Sequence, residues 1–543
     1  MSKFIFIVGG VISGLGKGIT AASIARLLTG RGYRVTNIKI DAYVNFDAGT
    51  MNPTEHGEVF VTDDGIETDQ DVGNYERFLN RDLGKANYAT TGQIYQSVIN
   101  KERNLEYGGK CVEVVPHIPL EIIARIENAR EKDDAEITII EIGGTVGEYQ
   151  NILFIEAARL MKYKRQKDVI TALVSYVPIP KTLGEMKTKP TQYASRTLNE
   201  TGMQADFIIC RGERTLDKPR KERIALLCNM HSEDDVISAP DVDNIYKVPL
   251  VLEEQKLDER ILKKLGLPVR EKDIREWKAL IHKSEGLKDE VKIAILGKYF
   301  TTGKFVLADV YVSVIAAIKH GCWAANVKPK LVWVDSEKIE NDQDKVNNLS
   351  DFDGVVIPGG FGTRGVEGIV RSIEYLRENG IPFLGLCYGM QMAAVEIARN
   401  VCGLDGANTM EIDPDTPHPV INLMPDQLKK LLGKDYGGTM RLGGYPCKLK
   451  EGTLMREIYG EEMIRERHRH RYEFNNDYRE CMEKEGVVFS GTSPDGKLVE
   501  TIEVSKDIHP FFIGVQFHPE FRSRPLSPHP LFVKFAKACK EKS

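Results

Sequence analysis

The feature that most constrains the fold is a repeated alternation of short apolar runs with helix-like segments. Five apolar runs stand in the first half of the chain, at 4–10, 34–40, 137–144, 169–177 and 206–211. A second series begins after residue 290, at 291–299, 329–335, 352–360, 381–387 and 511–520. Such runs between helical patterns are typical of parallel strands joined by helices. The sequence therefore predicts two α/β domains in tandem.

A charged stretch without a strand pattern separates the two series. Residues 267–290 carry several Lys and Glu at helical spacing, which is typical of a solvated connecting segment. The length of 543 residues also exceeds what one compact core supports. We expect an N-terminal domain over 1–267, a linker over 268–290 and a C-terminal domain over 291–543.

Bulk composition favours a cytoplasmic protein. The formal net charge of −5 gives no large field for nucleic acid, and the most basic segment, 466–474, has acidic flanks. No stretch approaches the roughly 18 uncharged apolar residues of a membrane span, and the N-terminus lacks a secretory signal pattern. Nine cysteines without CxxC spacing suggest neither a disulfide framework nor a zinc site. We expect no nucleic-acid partner and no membrane association.

A glycine-rich turn follows the first apolar run and leads into a helical pattern. The turn, GGVISGLGKGIT at 9–20, includes Lys17. Backbone N–H groups of such a turn can surround a phosphate at a helix N-terminus, and the lysine neutralises it; a simple tight turn is the alternative. The usual P-loop has Ser or Thr as a magnesium ligand where this chain has Gly18. We therefore expect Asp71 and Glu141, near strand ends, to hold Mg²⁺ instead.

A second site is indicated by Cys387, which lies between an apolar run and a helical pattern in GLCYGMQ. This is the cysteine counterpart of a nucleophile elbow, where the helix dipole favours the thiolate. His518 and Glu520, two apart in FHPE, can serve as general base and orienting carboxylate. Gly360, in the glycine turn at 357–362, and the amide of Tyr388 can bind an oxyanion. A structural cysteine, a core histidine and a turn carboxylate are the alternatives for each residue alone.

These motifs resemble two known families. GGVISGLGKG, the block at 37–78, EIGGTVGE at 141–148 and GEMKTKPTQ at 184–192 resemble the synthetase domain of the CTP synthase family. The cysteine, glycine-turn and FHPE segments resemble triad-type (class I) glutamine amidotransferases. The resemblance implies a P-loop-like parallel-sheet synthetase domain followed by an open-sheet amidotransferase domain. It implies that ATP phosphorylates O4 of UTP, and that ammonia from glutamine displaces the phosphate to give CTP.

The resemblance also implies site residues. Catalytic roles fall to Lys17, Lys39, Cys387, His518 and Glu520. ATP would be contacted by Gly14, Leu15, Gly16, Lys17, Gly18, Ile19, Asp71, Arg211 and Val242. UTP, or CTP as feedback inhibitor, would be contacted by Ser13, Glu148, Tyr149, Gln150, Lys187, Thr188, Lys189, Pro190, Thr191, Gln192 and Arg223. Glutamine would be contacted by Gly360, Tyr388, Gly389, Met390, Gln391, Glu411 and Arg471. The family usually has Lys in place of Arg223, so the charge is kept but the geometry differs.

Regulation and assembly follow from the same resemblance. GTP would act as an allosteric activator through the loop at 363–368, and Arg441 lies in another matching segment. The family forms homotetramers and can form filaments. The alternatives are a cobyric acid amidating enzyme, which lacks the blocks at 58–73 and 187–192, and a partitioning-type ATPase, which leaves the second half of the chain unexplained.

Overall fold

The chain folds into two compact α/β units, as predicted. The structure is a computed structural model that describes residues 2–52, 56–182, 184–298, 301–302, 305–306, 308–423 and 440–543. The block at 37–78, the apolar run at 291–299 and the segment around Arg441 are described only in part, because 53–55, 299 and 437–439 lie outside the described residues. Unit 1 comprises Met1–Ala48 and Asp71–Ile281, and unit 2 comprises Gly49–Gln70 and His282–Ser543.

Unit 1, within the described residues, is built on a seven-stranded sheet whose neighbours all pair in parallel. From edge to edge the strands are Tyr88–Thr90, Val35–Asp41, Ile137–Ile142, Lys3–Gly9, Val169–Tyr176, Phe207–Gly212 and Val236–Pro240. Because helices bury both faces of a parallel sheet, its strands are continuous apolar runs rather than alternating ones. This explains why the five inner strands were readable from the sequence, whereas the edge strands Tyr88–Thr90 and Val236–Pro240 were not predicted.

The helices of the first half of the chain connect these strands. They are Lys17–Gly30, Gln70–Leu79, Thr91–Arg103, Val114–Lys132, Ile152–Lys164, Lys189–Glu200, Lys218–Leu227, Val248–Glu254, Leu257–Lys264 and Arg275–Gly286. Short 3-10 turns occur at Lys85–Asn87, Tyr149–Asn151, Glu233–Asp235 and Ile245–Lys247. Arg275–Gly286 falls inside the expected linker. Its Trp277 is buried and donates to the carbonyl of Tyr246 at 2.8 Å, so this helix contributes to the core of unit 1. The boundaries at 267 and 290 stay predictions.

Unit 2, in its described part, is built on a nine-stranded open sheet of mixed direction. In spatial order the strands are Lys328–Asp335, Glu290–Gly297, Gly354–Ile357, Phe383–Leu386, Phe512–Val515, Val499–Val504, Val487–Thr492, Arg441–Leu449 and Met463–His470. The first five pair in parallel and the remainder antiparallel. The parallel part matches the predicted series of apolar runs, whereas the antiparallel strands carry polar residues that obscured them.

Smaller elements complete unit 2. Three further groups of strands are Asn408–Thr409 with Pro419–Leu423 and Tyr472–Phe474, Val59–Val61 with Glu67–Asp69, and Thr301–Thr302 with Phe305–Val306. The helices are Val312–Ala324, Ser336–Asn341, Val366–Glu378, Tyr388–Asn400, Leu454–Tyr459, Arg479–Lys484 and Pro530–Lys542. Short 3-10 helices occur at Ala308–Tyr311, Gln343–Asp351, Asn476–Tyr478 and Pro519–Arg522. In the described part of the chain, no helix is long and apolar enough to span a lipid bilayer.

The segment Gly49–Gln70 packs with unit 2 although it stands early in the chain. The Glu58 carboxylate accepts from the backbone N–H of Ser313 at 3.0 Å, at the N-terminus of Val312–Ala324. The guanidinium of Arg467 donates to the carbonyl of Val61 at 3.0 Å. These contacts join residues more than 250 positions apart, which a local sequence pattern does not reveal.

Candidate active sites

Cys387 stands at a sharp turn between the strand Phe383–Leu386 and the helix Tyr388–Asn400. Its backbone φ of 49° lies in a region that residues other than glycine rarely adopt. A Cβ on Gly389 would lie 2.3 Å from the carbonyl oxygen of Ile357. The glycine of the motif therefore allows the helix to approach the neighbouring strand. The nucleophile elbow predicted from GLCYGMQ has the expected strand, turn and helix.

His518 and Glu520 form the pair predicted from FHPE. His518 Nδ1 lies 2.7 Å from a Glu520 carboxylate oxygen, and both residues line a cavity of about 80 Å³ with Cys387. Burial alone would lower the pKa of His518, but the Glu520 carboxylate and Cys387 outweigh it and raise that pKa to about 10. Among the described residues, His518 Nε2 has no hydrogen-bond partner. The imidazole is therefore oriented on one side and able to exchange a proton on the other.

Gln516 is a contact of the cysteine that sequence reasoning missed. Its side-chain amide donates to Cys387 Sγ at 3.5 Å, and its amide oxygen accepts from Gln391 at 3.2 Å. The Gln516 amide N–H therefore points at the sulfur. Gln516 precedes His518 by two residues on an extended segment, so the two side chains share a face. That spacing is the signal that could have indicated it.

A larger cavity of about 590 Å³ opens beside Cys387. Gly360, Gln391, Glu411 and Arg471 line it, so the structure brings these predicted glutamine contacts together. The Met390 side chain instead packs in the core, so it can contribute to the site only through its backbone.

A buried lysine, also missed from the sequence, anchors the glycine turn. Lys298 Nζ donates to the carbonyl of Gly362 at 2.6 Å and lies 4.4 Å from the centre of the Tyr388 ring. The N–H of the same Gly362 donates to the Glu411 carboxylate at 3.0 Å. Burial lowers the pKa of Lys298 to about 8. The turn that carries Gly360 is thus held through both backbone polar groups of Gly362.

The glycine-rich turn of unit 1 has the geometry expected of a phosphate loop. Gly14 and Gly16 have φ of 73° and 80°, and the helix begins at Lys17. Lys17 Nζ donates to the carbonyl of Gly144 at 2.8 Å. Burial lowers the pKa of Lys17, while Glu141 raises it. The cation is held at the N-terminus of a 14-residue helix, where an anion is favoured.

Lys39 lies among three carboxylates, two near strand ends and one, Asp71, in the first turn of the helix Gln70–Leu79. Its Nζ is 2.5 Å from Asp71, 3.0 Å from Glu141 and 3.8 Å from Asp41. Burial and the charge of Asp71 raise the pKa of Glu141, and the Tyr75 hydroxyl donates to the same carboxylate. Asp41 was missed, although it follows Lys39 by two residues on the same strand. Lys39, Asp71 and Glu141 therefore lie together, as predicted.

The space beside Gly18 explains the departure from the usual P-loop. A Cβ on Gly18 would lie 1.9 Å from a carboxylate oxygen of Asp71, so Asp71 takes the place of a Ser or Thr side chain. Its oxygen ligands and those of Glu141 suit Mg²⁺. No group of three His, Cys, Asp or Glu side chains encloses a metal in the described part. Phosphate oxygens and water would complete the coordination.

Two of the predicted nucleotide contacts, Arg211 at the end of the strand Phe207–Gly212 and Glu148 before the 3-10 turn Tyr149–Asn151, are held by hydrogen bonds. Arg211 donates to the carbonyl of Ala239 and to the carboxylate of Asp241, each at 2.8 Å, which brings it next to Val242. Glu148 accepts from the N–H of Thr145 at 3.0 Å and from Gln150 at 2.7 Å.

The UTP candidates at 187–192 lie in the turn before the helix Lys189–Glu200 and in its first turn. Lys187 bonds Glu185 at 2.8 Å, and the Gln192 amide donates to the Thr188 hydroxyl at 3.0 Å. Lys187 most strongly, and Arg223 more weakly, lower the pKa of Glu185, so Arg223 lies within electrostatic range of this turn. Ser13, Tyr149 and Arg223 are exposed to solvent.

The chain is similar to CTP synthases along nearly its full length. A family model described as CTP synthase N-terminus matches residues 3–267, and one described as glutamine amidotransferase class-I matches residues 306–538. The chain is 51% identical over 539 residues to a CTP synthase of Geobacillus kaustophilus, covering 99% of both proteins. It is 51% identical to a CTP synthase of Caldanaerobacter subterraneus subsp. tengcongensis, covering 99% of this chain and 98% of the relative. A solved glutaminase domain of Trypanosoma brucei CTPS with bound acivicin is 36% identical, covers 47% of this chain and 95% of its own, and has a TM-score of 0.43.

Proposed function

The chain belongs to the CTP synthase family, and from that premise we propose how its two units divide the amination of UTP. Unit 2 hydrolyses glutamine, and unit 1 activates UTP with ATP and aminates it. The observation that carries the proposal is the strained Cys387 turn beside the His518–Glu520 pair, in contact with the cavity that Glu411 and Arg471 line. The full-length similarity excludes the partitioning-type ATPase and the cobyric acid enzyme.

In unit 2, the Cys387 thiolate attacks the side-chain amide carbon of glutamine. The backbone amides of Gly360 and Tyr388 stabilise the oxyanion, and His518 donates a proton to the departing ammonia. His518 then takes a proton from the water that hydrolyses the thioester. Glu411 and Arg471 have the charges needed to bind the ammonium and carboxylate of the substrate. Glu520 keeps the imidazole in the correct orientation.

We predict that Glu520→Gln shifts the alkaline limit of glutamine hydrolysis. In the wild type the raised pKa of about 10 keeps His518 protonated below that pH. As the pH rises through this value the proton is lost, and with it the stabilising attraction between the imidazolium and Glu520. Removing the Glu520 charge lowers this pKa, and we expect kcat/KM for glutamine to fall at a lower pH than in the wild type. Glutamate release from pH 6 to 10.5 measures this. The exposed Glu462→Gln is the control, and an unchanged profile in Glu520→Gln would contradict the assignment.

In unit 1, Lys17 and Lys39 act on the phosphoryl group that passes from ATP to O4 of UTP. Phosphoryl transfer is catalysed mainly by positioning and charge stabilisation, which buried cations provide. Mg²⁺, held by Asp71 and Glu141, would neutralise phosphate charge when bound. Ammonia then attacks C4 of the activated ring and phosphate leaves, which gives CTP. Arg211 and Val242 flank the adenine, beside the phosphate contacts Gly14, Leu15, Gly16, Gly18 and Ile19.

We predict that Gly18→Ser impairs CTP formation with either nitrogen donor. The new Cβ would displace the Asp71 carboxylate, which its position nearly overlaps, and would disturb the contact of Asp71 with Lys39. We expect a loss of about 100-fold in the ammonia-dependent rate, by the size of a lost transition-state contact. Gly286→Ser, where the Cβ meets no atom within 4 Å and the backbone φ is not positive, is a control for the added side chain. Retention of full activity in Gly18→Ser would contradict the proposed role of Asp71.

UTP and feedback CTP would occupy the pocket formed by the two loops that carry Glu148 and Lys187. The contacts are those proposed above, namely Ser13, Glu148, Tyr149, Gln150, Lys187, Thr188, Lys189, Pro190, Thr191, Gln192 and Arg223. We further propose that GTP activates glutamine hydrolysis through the loop at 363–368. In that loop Arg364 donates to Glu337 at 2.6 Å. A homotetramer, filament formation and a cytoplasmic location complete the proposal.

A direct assay tests the division of labour. The protein is incubated with UTP, ATP, Mg²⁺ and either glutamine or ammonium chloride, and CTP, ADP and glutamate are quantified. We expect one CTP and one ADP for each glutamate with glutamine, and CTP without glutamate with ammonium. Glutamate release without CTP would contradict the assignment of unit 1.

A further inference from the structure

A buried cluster of ionisable side chains extends from the core of unit 2 to the glutamine cavity. Its members are Arg441, His468, His470, Glu473 and Glu500, each no more than 9% exposed. His470 also lines the cavity of about 590 Å³. The Phe517 ring and the Tyr445 ring lie against His468, with centres 5.9 and 5.6 Å away. The cluster is therefore buried, and His470 connects it to the cavity.

A backbone carbonyl fixes the tautomer of His470. Its Nδ1 lies 3.1 Å from the carbonyl oxygen of Tyr472, which can only accept, so Nδ1 carries the hydrogen. Burial, and then the charge of Arg441, lower the pKa of His470 well below its ordinary value, so the ring is neutral and Nε2 keeps a lone pair. His468 Nδ1 lies 2.9 Å from that Nε2 and must be the donor.

On its other side, His468 faces the carboxylate of Glu500. His468 Nε2 is 3.6 Å from Glu500 Oε2, and neither atom has another hydrogen-bond partner in the described residues. With the hydrogen on Nδ1, two lone pairs would face each other in a buried site, which is costly unless a proton lies between them.

Charge balance also requires one additional proton. Arg441 pairs with Glu500 at 2.7 Å and with Glu473 at 3.3 Å, so one guanidinium meets two carboxylates. Burial raises the pKa of both carboxyls, and the nearby His518 also acts electrostatically on both histidines. We assign the extra proton to the gap between Glu500 and His468, because a proton on Glu473 Oε2 would meet no acceptor among the described residues.

The carbonyl held by His470 belongs to the turn that borders the nucleophile. Gln391 donates to the same Tyr472 oxygen at 3.1 Å and continues to Gln516 and Cys387 through the contacts described above. At the start of the turn, Cys387 Sγ approaches the carbonyl of Arg469 at 3.9 Å. In sequence, Arg471 lies between Arg469 and Tyr472, whose carbonyls make these two contacts. The position of the Tyr472 peptide therefore bears on both the nucleophile and Arg471.

We propose that His470 is a positioning residue of the glutamine site, held in one tautomer by His468 and Glu500 and fixing the turn that carries Arg471. This rests on the proposed roles of Cys387 and Arg471. It also explains the alternating HRHR sequence at 468–471, because successive residues of a strand face opposite sides. The histidines face the cluster, whereas Arg467 and Arg469 face the segment Gly49–Gln70.

Two substitutions of His470 separate positioning from simple packing. An Asn amide nitrogen can take the place of Nδ1 and still donate to Tyr472, whereas a Gln amide takes the place of Nε2 and leaves that carbonyl with the Gln391 donor alone. We expect His470→Asn to keep the KM for glutamine within about 3-fold, and His470→Gln to raise it by about 10-fold or more with a smaller change in kcat. Ammonia-dependent CTP formation should not change in either variant.

Equal rises of KM in the two variants, or no rise in His470→Gln, would overturn the proposal. If thermal unfolding shows that His470→Gln does not fold, Glu500→Gln and Glu500→Met replace it. The Gln amide supplies the hydrogen that His468 Nε2 requires, so only Glu500→Met should raise the KM for glutamine. Equal rises of KM in the two Glu500 variants would overturn the proposed role of Glu500 and His468. Cys387→Ala separates a failure of the His470 proposal from a failure of the proposed function, because glutamine-dependent activity in that variant would refute the proposed function itself.

Discussion

Replacement of Cys387 by alanine is expected to abolish glutamine-dependent CTP formation, with a loss of at least about 1,000-fold. Without the thiolate no thioester forms, and the remaining groups of the site give only weak hydrolysis. Ammonia-dependent CTP formation should stay within about 2-fold, because the groups proposed to aminate UTP belong to unit 1. Initial rates of CTP formation, with each nitrogen donor, measure both numbers.

The control is Cys481→Ala, a partly buried cysteine in the short helix Arg479–Lys484, which should retain both activities. Substantial glutamine-dependent synthesis in Cys387→Ala would show that another residue is the nucleophile. Loss of the ammonia-dependent rate in the same variant would show that the two activities are not separable in this way.

Lys17→Met is expected to have the second largest effect, and unlike Cys387→Ala it should lower CTP formation with both nitrogen donors. It removes the cation at the start of the helix Lys17–Gly30 while keeping most of the side-chain volume. We expect CTP formation to fall by about 100-fold to 1,000-fold with glutamine and with ammonia alike, because both routes require the same phosphoryl transfer. ADP release in the presence of UTP and ammonia should fall in parallel.

Lys162→Met controls for the loss of a partly buried lysine, since Lys162 pairs with Asp206 in the same unit. It should retain near wild-type rates. A Lys17→Met enzyme that loses activity only with glutamine would contradict the assignment of the glycine-rich turn to ATP.

The sequence predicted the elements whose signal is local. The strand Lys3–Gly9, the turn to Lys17 and the strand before Cys387 were readable because burial on both faces leaves continuous apolar runs, and glycines mark the close approaches. The sequence also indicated the elbow at Cys387, and it showed that Gly18 stands where the usual P-loop has Ser or Thr. The structure has a sharp turn at Cys387 and the Asp71 carboxylate beside Gly18, in agreement with both interpretations.

Residues brought together by long-range packing were not predictable in the same way. Gln516 and Lys298 are polar residues at the ends of buried strands, and only the folded sheet shows that one reaches the sulfur and the other the glycine turn. The segment Gly49–Gln70 joins unit 2 through contacts such as Glu58 with Ser313. Arg441, which resemblance placed in a matching segment, is buried between Glu473 and Glu500, a pairing that the sequence did not indicate.

The central claim is that the amide nitrogen of glutamine, released at Cys387, becomes the 4-amino group of CTP. It is tested most directly with glutamine labelled with ¹⁵N at the side-chain amide, in the presence of unlabelled ammonium below the concentration that supports synthesis by itself. Mass spectrometry of the product should show CTP one mass unit heavier, with equal amounts of CTP and glutamate, and no labelled CTP from Cys387→Ala. Unlabelled CTP from the wild-type enzyme, or labelled CTP from Cys387→Ala, would contradict the account.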